Sequence, residues 1–282
     1  MKKISLLALA ACLYTGLAAQ DYLNVMTFNI RLNTPRDSAN AWPFRKDMVA
    51  SQVLFHEVHL LGVQEALPEQ MADLQERLKK YKYIGVGRED GKQKGEFSAI
   101  FYDTTRLQLL ETKTTWLSLT PGVPGSKSWD AAITRIVTWG KFKDRHTKKI
   151  FYHFNTHFDH IGKVARRESA KLLLEMVKNV AGNSTSIITG DFNAAPSDEP
   201  IQVIMDSSNP LHFIDTKQLS VTGHYGPNGT FNYFQPKEGS NDPIDYIFLK
   251  NGGTVLLHAT LTQTWGGRVS SDHFPVFARV KL

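Results

Sequence analysis

Short apolar runs that stop on a lone acid, amide or imidazole are the strongest constraint on how this chain can fold. There are six of them. T-F-N-I-R carries Asn29, and L-G-V-Q-E-A ends its apolar part at Glu65. F-Y-H-F-N-T runs into His157, and I-I-T-G runs into Asp191 and Asn193. Asp245 opens D-Y-I-F-L, while Asp272 and His273 sit inside S-S-D-H-F-P-V. A polar group stranded at the end of a buried segment costs stability unless it finds a partner. One such residue is ordinarily a turn cap, and D-F-N alone reads most simply as a capping pair. Six are most economically explained if they meet one another at a single rim. In extended backbone, residues i and i+2 face the same way, so Asp191 and Asn193 project together while Phe192 turns into the core. A base beside a hydrogen-bond donor suits the holding of a water and an anionic oxygen.

The periodicity supplies the elements for such a rim. Tyr22–Ile30, Leu60–Gln64, Phe97–Tyr102, Ile133–Phe142, Ile150–Thr156, Ser186–Thr189, Ile244–Leu249, Val255–Leu261 and Pro275–Leu282 read as strands. Helical spacing marks Phe44–His56, Pro68–Lys80 with proline in its first turn, and Lys163–Ala181. In the last of these, Leu172, Leu173, Met176, Val177 and Val180 form one apolar stripe. Strands outnumber helices, and several follow one another directly, which excludes a simple βαβ repeat. A pair of mixed sheets with outer helices fits better. Runs as apolar as Ile244–Leu249 imply strands covered on both faces.

Length and composition narrow the class. The chain has 282 residues, 41% of them hydrophobic, with a mean hydropathy of −0.28. No Pro/Gly/Ser-rich linker or repeat divides it, so one domain over residues 20–282 is expected. Residues 1–19 read as a signal peptide: Lys2 and Lys3, a short apolar run, then small residues. The run is too short to span a bilayer. Leu9-Ala10-Ala11-Cys12 also resembles a lipoprotein box, which ranks second because it would need an unusually short signal. An exported protein, periplasmic or secreted, is the expectation. Cys12 is the only cysteine, so the processed chain has neither a disulfide nor thiol chemistry. Without Lys2 and Lys3 the 33 basic side chains fall to 31 against 27 acidic ones, a net charge of +4. That is compatible with a phosphate-bearing substrate without demanding one.

The six segments together, with I-D-Y-I-F and N-T-H-F-D-H in their places, resemble the endonuclease/exonuclease/phosphatase superfamily. This is the group of deoxyribonuclease I, the abasic-site endonucleases, the deadenylases and nocturnin, the neutral sphingomyelinases and the inositol-polyphosphate 5-phosphatases. The resemblance runs from Val25 to the C-terminus. It implies a deoxyribonuclease I-like, four-layer α/β sandwich in which two packed mixed β-sheets are flanked by helices. It also implies hydrolysis of a phosphoester with a divalent metal, Mg²⁺ or Mn²⁺. By resemblance Glu65 is the principal metal ligand, with Asn29 and Asp272 close to the ion. Asp191 orients or deprotonates the attacking water, and Asn193 is its phosphate-binding neighbour. His273 is the catalytic histidine with Asp245 as its carboxylate partner. His157 is a second histidine against the phosphate, and Glu96, in G-E-F-S-A-I-F-Y, falls where that histidine's carboxylate would be. Few oxygen ligands suit Mg²⁺, and no side-chain nucleophile is required.

Weaker features surround this set. Arg135 lies among apolar neighbours and needs an anion, either the substrate phosphate or a structural carboxylate. His160, Arg166 and Arg167 follow H-F-D-H and are candidates to line the cleft or to form a solvated first turn. His56-Glu57-Val58-His59 is one residue short of a helical zinc motif and is set aside. Tyr225, Phe231, Tyr233 and Phe234 flank a turn-rich loop and could stack on a base or sugar, or simply pack. Lys79-Lys80-Tyr81-Lys82 reads as a solvated helix end. The stretch T-H-F-D-H-I-G-K-V-A-R-R resembles the deadenylase and nocturnin branch and puts a nucleic acid or nucleotide-type diester first as substrate. A phospholipid or sphingomyelin-type phosphodiesterase and a phosphatase of small metabolites are the alternatives. A non-catalytic binding protein on the same scaffold is the reading from another class. No stable protein partner and no transmembrane segment are expected.

Overall fold

The computed structural model describes residues 21–237 and 239–282; the expected leader, residues 1–19 with Cys12, lies outside them. The strands in chain order are β1 (Leu23–Asn29), β2 (Leu60–Gln64), β3 (Tyr81–Ile84), β4 (Ile100–Asp103), β5 (Leu107–Trp116), β6 (Ile136–Asp144) and β7 (Ile150–His157). They continue with β8 (Ser186–Asp191), β9 (Ile214–Asp215), β10 (His224–Tyr225), β11 (Asp245–Lys250), β12 (Thr254–Thr260) and β13 (Val276–Lys281). The helices are α1 (Lys46–Phe55), α2 (Pro68–Arg77), α3 (Lys163–Ala181), α4 (Glu199–Met205) and α5 (Thr216–Leu219). Strands β10-β12-β13-β1-β2-β4-β3 form one sheet, and β5-β6-β7-β8-β11-β9 form the other. Both sheets are mixed: β1 pairs parallel to β2 and antiparallel to β13, and β8 pairs parallel to β7 and antiparallel to β11.

Strand alternation builds the layers. Val25, Leu60, Phe151, Ile187 and Ile247 meet between the sheets. Their neighbours turn outward: Met26 and Leu61 pack with Val53 of α1 and Leu74 of α2. Tyr152, Ile188 and Phe248 pack with Leu173 and Val177 of α3 and Ile201 of α4. The order is therefore helices, sheet, sheet, helices, the four-layer sandwich expected from the resemblance. Each central strand is covered on both faces, which is why its sequence is nearly continuous in apolar residues.

Besides the short elements α4, β9, α5 and β10, two longer ones escape the sequence pattern. Residues Lys79–Lys82 do not extend α2, which stops at Arg77; β3 begins at Tyr81 instead. It pairs only with β4 at the edge of its sheet. β5 is likewise an edge strand, with most of its middle exposed and a bulge between Leu109 and Glu111. Neither edge has the two buried faces that make a strand readable.

Between the sheets the packing changes character along the strands. Past Val25 on the same face come Thr27 and Asn29; past Leu60 come Gly62 and Gln64; past Phe151 come His153, Asn155 and His157. The apolar inner layer thus gives way to a polar one. Asn155 crosses it, donating from Nδ2 to Val63 O and Ala99 O of the facing sheet, each at 2.9 Å. Its Oδ1 accepts from Gln64 Nε2 at 2.7 Å and Thr189 Oγ1 at 2.9 Å. Gly62 leaves the room this needs: a Cβ there would lie 2.3 Å from Thr189 Oγ1 and 2.4 Å from Asn155 Oδ1.

Truncating Asn155 strips partners from several buried groups at once. Asn155→Ala is expected to lower unfolding free energy by about 3 kcal/mol in urea titrations, and an unchanged midpoint would contradict the bridge. His153, fully buried beside Thr189 Oγ1 at 2.7 Å, has its pKa pushed down to about 3 by that burial. The unfolded imidazole takes a proton near pH 6.5, the folded one does not. The stability this group supports is therefore present above pH 6.5 and lost as pH falls toward 3. Between pH 7.5 and 5 the natural protein should lose about 2 kcal/mol more than His153→Gln. Parallel stability curves for the two would contradict it.

Candidate active site

Register brings the expected residues to one rim. Asn29 ends β1 opposite Gln64, so Glu65 emerges beside it. In the other sheet Asp191 stands opposite His157 on one side and Asp245 on the other. Asn29 Nδ2 then joins the sheets, donating to Glu65 Oε1 at 3.1 Å and to Asp191 Oδ2 at 2.9 Å. The segment before β13 closes the ring. Ser271 Oγ donates to Asn29 O at 2.7 Å, and Asn232 N donates to Asp272 O at 2.7 Å. Glu65, Asn193 and Arg31 all adopt left-handed backbone, with φ of 61°, 47° and 57°. Such conformations are uncommon away from glycine and gather where the surroundings over-determine them.

The titratable groups are strongly displaced. His273 Nδ1 lies 2.9 Å from Asp245 Oδ2, and its Nε2 lies 3.8 Å from Asp191 Oδ2. Burial opposes a charge on His273, yet the carboxylates of Asp245 above all, then Asp191 and Asp272, together outweigh it and push the pKa up to about 10. Burial, then the charge of Asp245, raises the Asp191 carboxyl above the ordinary range. His157 is the opposite case: burial, then the cations Arg135 and Arg88, keep it neutral. Its Nε2 lies 3.4 Å from Asp191 Oδ2 and 3.0 Å from Asn193 Nδ2. With Asn193 donating, Nε2 accepts, and the buried Nδ1 has no hydrogen-bond partner. A cationic histidine, a neutral one and an acid of raised pKa lie side by side, the separation of roles that acid–base chemistry requires.

Two donor sets could hold a cation. Atoms of Asp191, Asp245 and His273 all lie within 4.8 Å of one another. The hydrogen bond between Asp245 and His273 already accounts for that closeness. The second set is Glu65 and Asp272, whose carboxylates share Arg31: Nη1 is 3.8 Å from Glu65 Oε2 and Nε is 3.7 Å from Asp272 Oδ2. Burial raises the Asp272 carboxyl; His273 opposes this and Glu65 adds to it. Paired carboxylate oxygens under mutual repulsion fit a hard divalent cation. Asn29 stands beside this set: its Oδ1 accepts from Arg31 N at 3.0 Å and its Nδ2 donates to Glu65 and to Asp191, holding both carboxylates.

A cavity of about 440 Å³ opens over this rim, lined by Arg31, Glu65, Glu96, Arg135, His157, His160, Asp191, Asn193, Phe231, Asp272 and His273, among others. Glu96 lines it without pairing with His157, which corrects the partner expected for that histidine. Its two oxygens are each 2.7 Å from the guanidinium of Arg88, which sits on the same hairpin and takes the carboxylate first. Arg135 meets both expectations in part. Its Nε is 3.7 Å from Asp159 Oδ2 and its Nη2 is 3.2 Å from His160 Nδ1, while Nε and Nη1 make no hydrogen bond. Arg166 does not line the cavity: its Nη1 donates to Asp159 O at 2.9 Å from the buried side of α3. His59 of the set-aside zinc motif accepts from Asn24 N at 2.9 Å. Phe231 reaches the cavity and packs on His273 with ring centroids 4.9 Å apart, whereas Phe234 packs on Arg45 and Tyr225 and Tyr233 are exposed. Arg31 was missed as a site residue, although it stands in the quoted T-F-N-I-R.

The model of the Endonuclease/Exonuclease/phosphatase family matches residues 26–273. Among solved structures, an endonuclease/exonuclease/phosphatase of Bacteroides vulgatus is 37% identical with a TM-score of 0.88, covering 93% of this chain and 99% of that one. A mannosyl-6-phosphatase of Bacteroides thetaiotaomicron is 39% identical with a TM-score of 0.87, covering 92% and 99%. The catalytic domain of human nocturnin shares the fold at 19% identity, with a TM-score of 0.72 over 92% and 94%.

The two arginines should separate in kinetics. Replacing Arg135 by Met is expected to raise KM for a phosphoester by about 10-fold or more, because a charge-assisted contact is lost. Replacing Arg166 by Met should lower the melting temperature and leave KM within about 2-fold, since it removes a buried bond outside the cavity. Equal effects on KM would contradict the placement.

Proposed function

The chain belongs to the endonuclease/exonuclease/phosphatase family and is a phosphoester hydrolase; from that premise we propose that it is a divalent-metal-dependent phosphatase of small phosphorylated sugars. The observation that carries this reading is Arg135. Two of its guanidinium nitrogens are buried without a hydrogen-bond partner, on the wall of a cavity of about 440 Å³. A terminal phosphate needs more donors than a diester, and a cavity of this size suits a ligand of sugar-phosphate dimensions. The likeness at 39% identity to a mannosyl-6-phosphatase supports the same class. The nucleic-acid substrate expected first rested on mild positive charge and a helix-leading stretch, and neither is specific to a polymer.

In this reading Glu65 and Asp272 hold the cation, with Asn29 fixing Glu65 against Asp191. When bound, the metal offsets charge on the phosphoryl oxygens and steadies the leaving oxygen. Asp191, with Asn193 N donating to its Oδ1 at 3.0 Å, orients the attacking water and accepts its proton at Oδ2. His273, held as a cation by Asp245, donates from Nε2 to a phosphoryl oxygen. Neutral His157, at the end of β7, borders the phosphate and is fixed there by Asn193, whose Nδ2 donates to His157 Nε2 and to Phe158 O. Arg135 and His160 take its remaining oxygens. No side chain is acylated or phosphorylated; water attacks in line.

Purified protein should release inorganic phosphate from mannose 6-phosphate with Mg²⁺ or Mn²⁺ and lose that activity in EDTA. Asp191→Ala and His273→Ala should each lower kcat by ~100-fold or more. Faster hydrolysis of RNA or DNA than of any sugar phosphate would overturn the substrate class. Unchanged turnover in both variants would overturn the mechanism.

A further inference from the structure

Arg45 is fully buried, yet among the described residues no carboxylate lies within ion-pair distance of it. Its guanidinium is instead satisfied by backbone. Nη1 donates to Ile30 O and Ser270 O, both at 2.8 Å, Nη2 to Arg31 O at 3.2 Å, and Nε to Asn40 O at 2.5 Å. These carbonyls come from three separate segments. Ile30 and Arg31 follow Asn29 directly, and Ser270 is two residues from Asp272. Aromatic rings close the faces of the guanidinium, Trp42 at 5.5 Å and Phe234 at 5.2 Å. Gln52 of α1 reinforces one arm, its Nε2 donating to Ser270 Oγ at 2.6 Å.

The consequence is geometric. Glu65 is fixed from the β1 side: Leu32 N donates to its Oε2 at 3.1 Å and Asn29 Nδ2 to its Oε1 at 3.1 Å. Asp272 is carried by the Ser270–His273 segment. These two arms belong to opposite ends of the sequence. The β1–β13 ladder joins them as far as Thr27 and Val276. Beyond it, side chains bridge them: Ser271 to Asn29 O, Arg31 to both carboxylates, and the planar fork of Arg45. A guanidinium has donors in fixed directions, which an ammonium at the end of a flexible stem cannot reproduce. Burial lowers the pKa of Arg45 to about 10, which still leaves it charged at neutral pH.

We propose that Arg45 is a positioning residue that sets the spacing of the Glu65 and Asp272 carboxylates, and hence the affinity of the site for a divalent cation. This rests on the assignment of those carboxylates as metal ligands in the proposed function. A purely structural role would be filled by Arg45 as it is by Arg106, which is also buried and forms two 2.9 Å hydrogen bonds to Asp144 at the far end of β6 from Arg135.

The test is isothermal titration of Mn²⁺ into the apo protein, with melting temperatures measured alongside, for the natural protein, Arg45→Lys and Arg106→Lys. Arg45→Lys should bind Mn²⁺ at least ~10-fold more weakly, as supporting residues around a metal do when altered. Arg106→Lys should melt earlier and bind Mn²⁺ like the natural protein. If Arg45→Lys does not fold, Phe234→Leu takes its place, and loss of one cation–π face should weaken Mn²⁺ binding by about 3-fold. Natural affinity in Arg45→Lys, or in Phe234→Leu when that variant is used, overturns the inference alone. Absence of Mn²⁺ binding by the natural protein would remove the metal assignment and this inference with it.

Discussion

The hydrogen bond from Asn29 Nδ2 to Asp191 Oδ2, 2.9 Å long, joins two sheets whose strands are 162 residues apart in sequence. Everything at the rim is referred to it. On one side Asn29 also holds Glu65; on the other, Asp191 is flanked by His157 and Asp245 through strand register. The bond is possible only because the sheets stand in a fixed relation, and the polar layer behind it provides that relation. Asn155, Gln64 and Thr189, with the room left by Gly62, form a buried network in which Asn155 and Thr189 are fully partnered and Gln64 donates from Nε2 while its Oε1 has no partner. Buried networks of this kind are costly when broken and specifying when complete. The apolar layer between the sheets supplies the driving force, and the polar layer decides how the sheets are placed.

The electrostatics follow from the same placement. Six acids and imidazoles brought together under burial cannot all take their ordinary charge states. His273 and Asp245 resolve this as an ion pair, His157 by staying neutral, and Asp191 by a raised pKa. Glu65 and Asp272 have Arg31 between them. Left-handed backbone at Arg31, Glu65 and Asn193 shows that the chain bends to present these groups where an unconstrained strand end would not.

Much of this was legible in the sequence because the site lies at strand ends. A polar residue that breaks a two-sided apolar run is visible, and the i, i+2 rule places Asp191 with Asn193. The bounds of the helix Lys163–Ala181 were readable to the residue, but its buried face runs through Ala170, Leu173, Leu174, Val177 and Ala181, with Leu172, Met176 and Val180 at its margin. What failed has a common cause: the deciding contact is with something the local pattern does not contain. Glu96 looked free to pair with His157, and the hairpin instead presents Arg88 to it. Arg166 looked like a cleft residue, but its place on α3 turns it under Asp159. Arg45 carried no signal, because its partners are main-chain carbonyls. The edge strands β3 and β5 lack a second buried face, so β3 reads as a helix end and β5 gives no strand signal.

The central claim is that one sheet places Glu65 and Asp272 around one divalent cation and the other brings Asp191 beside it. Anomalous diffraction from crystals grown with Mn²⁺ tests it most directly. The account predicts a single strong peak within coordination distance of Glu65 and Asp272 oxygens, with the Asp245–His273 hydrogen bond intact. A peak seated instead among Asp191, Asp245 and His273, away from Glu65, would contradict it.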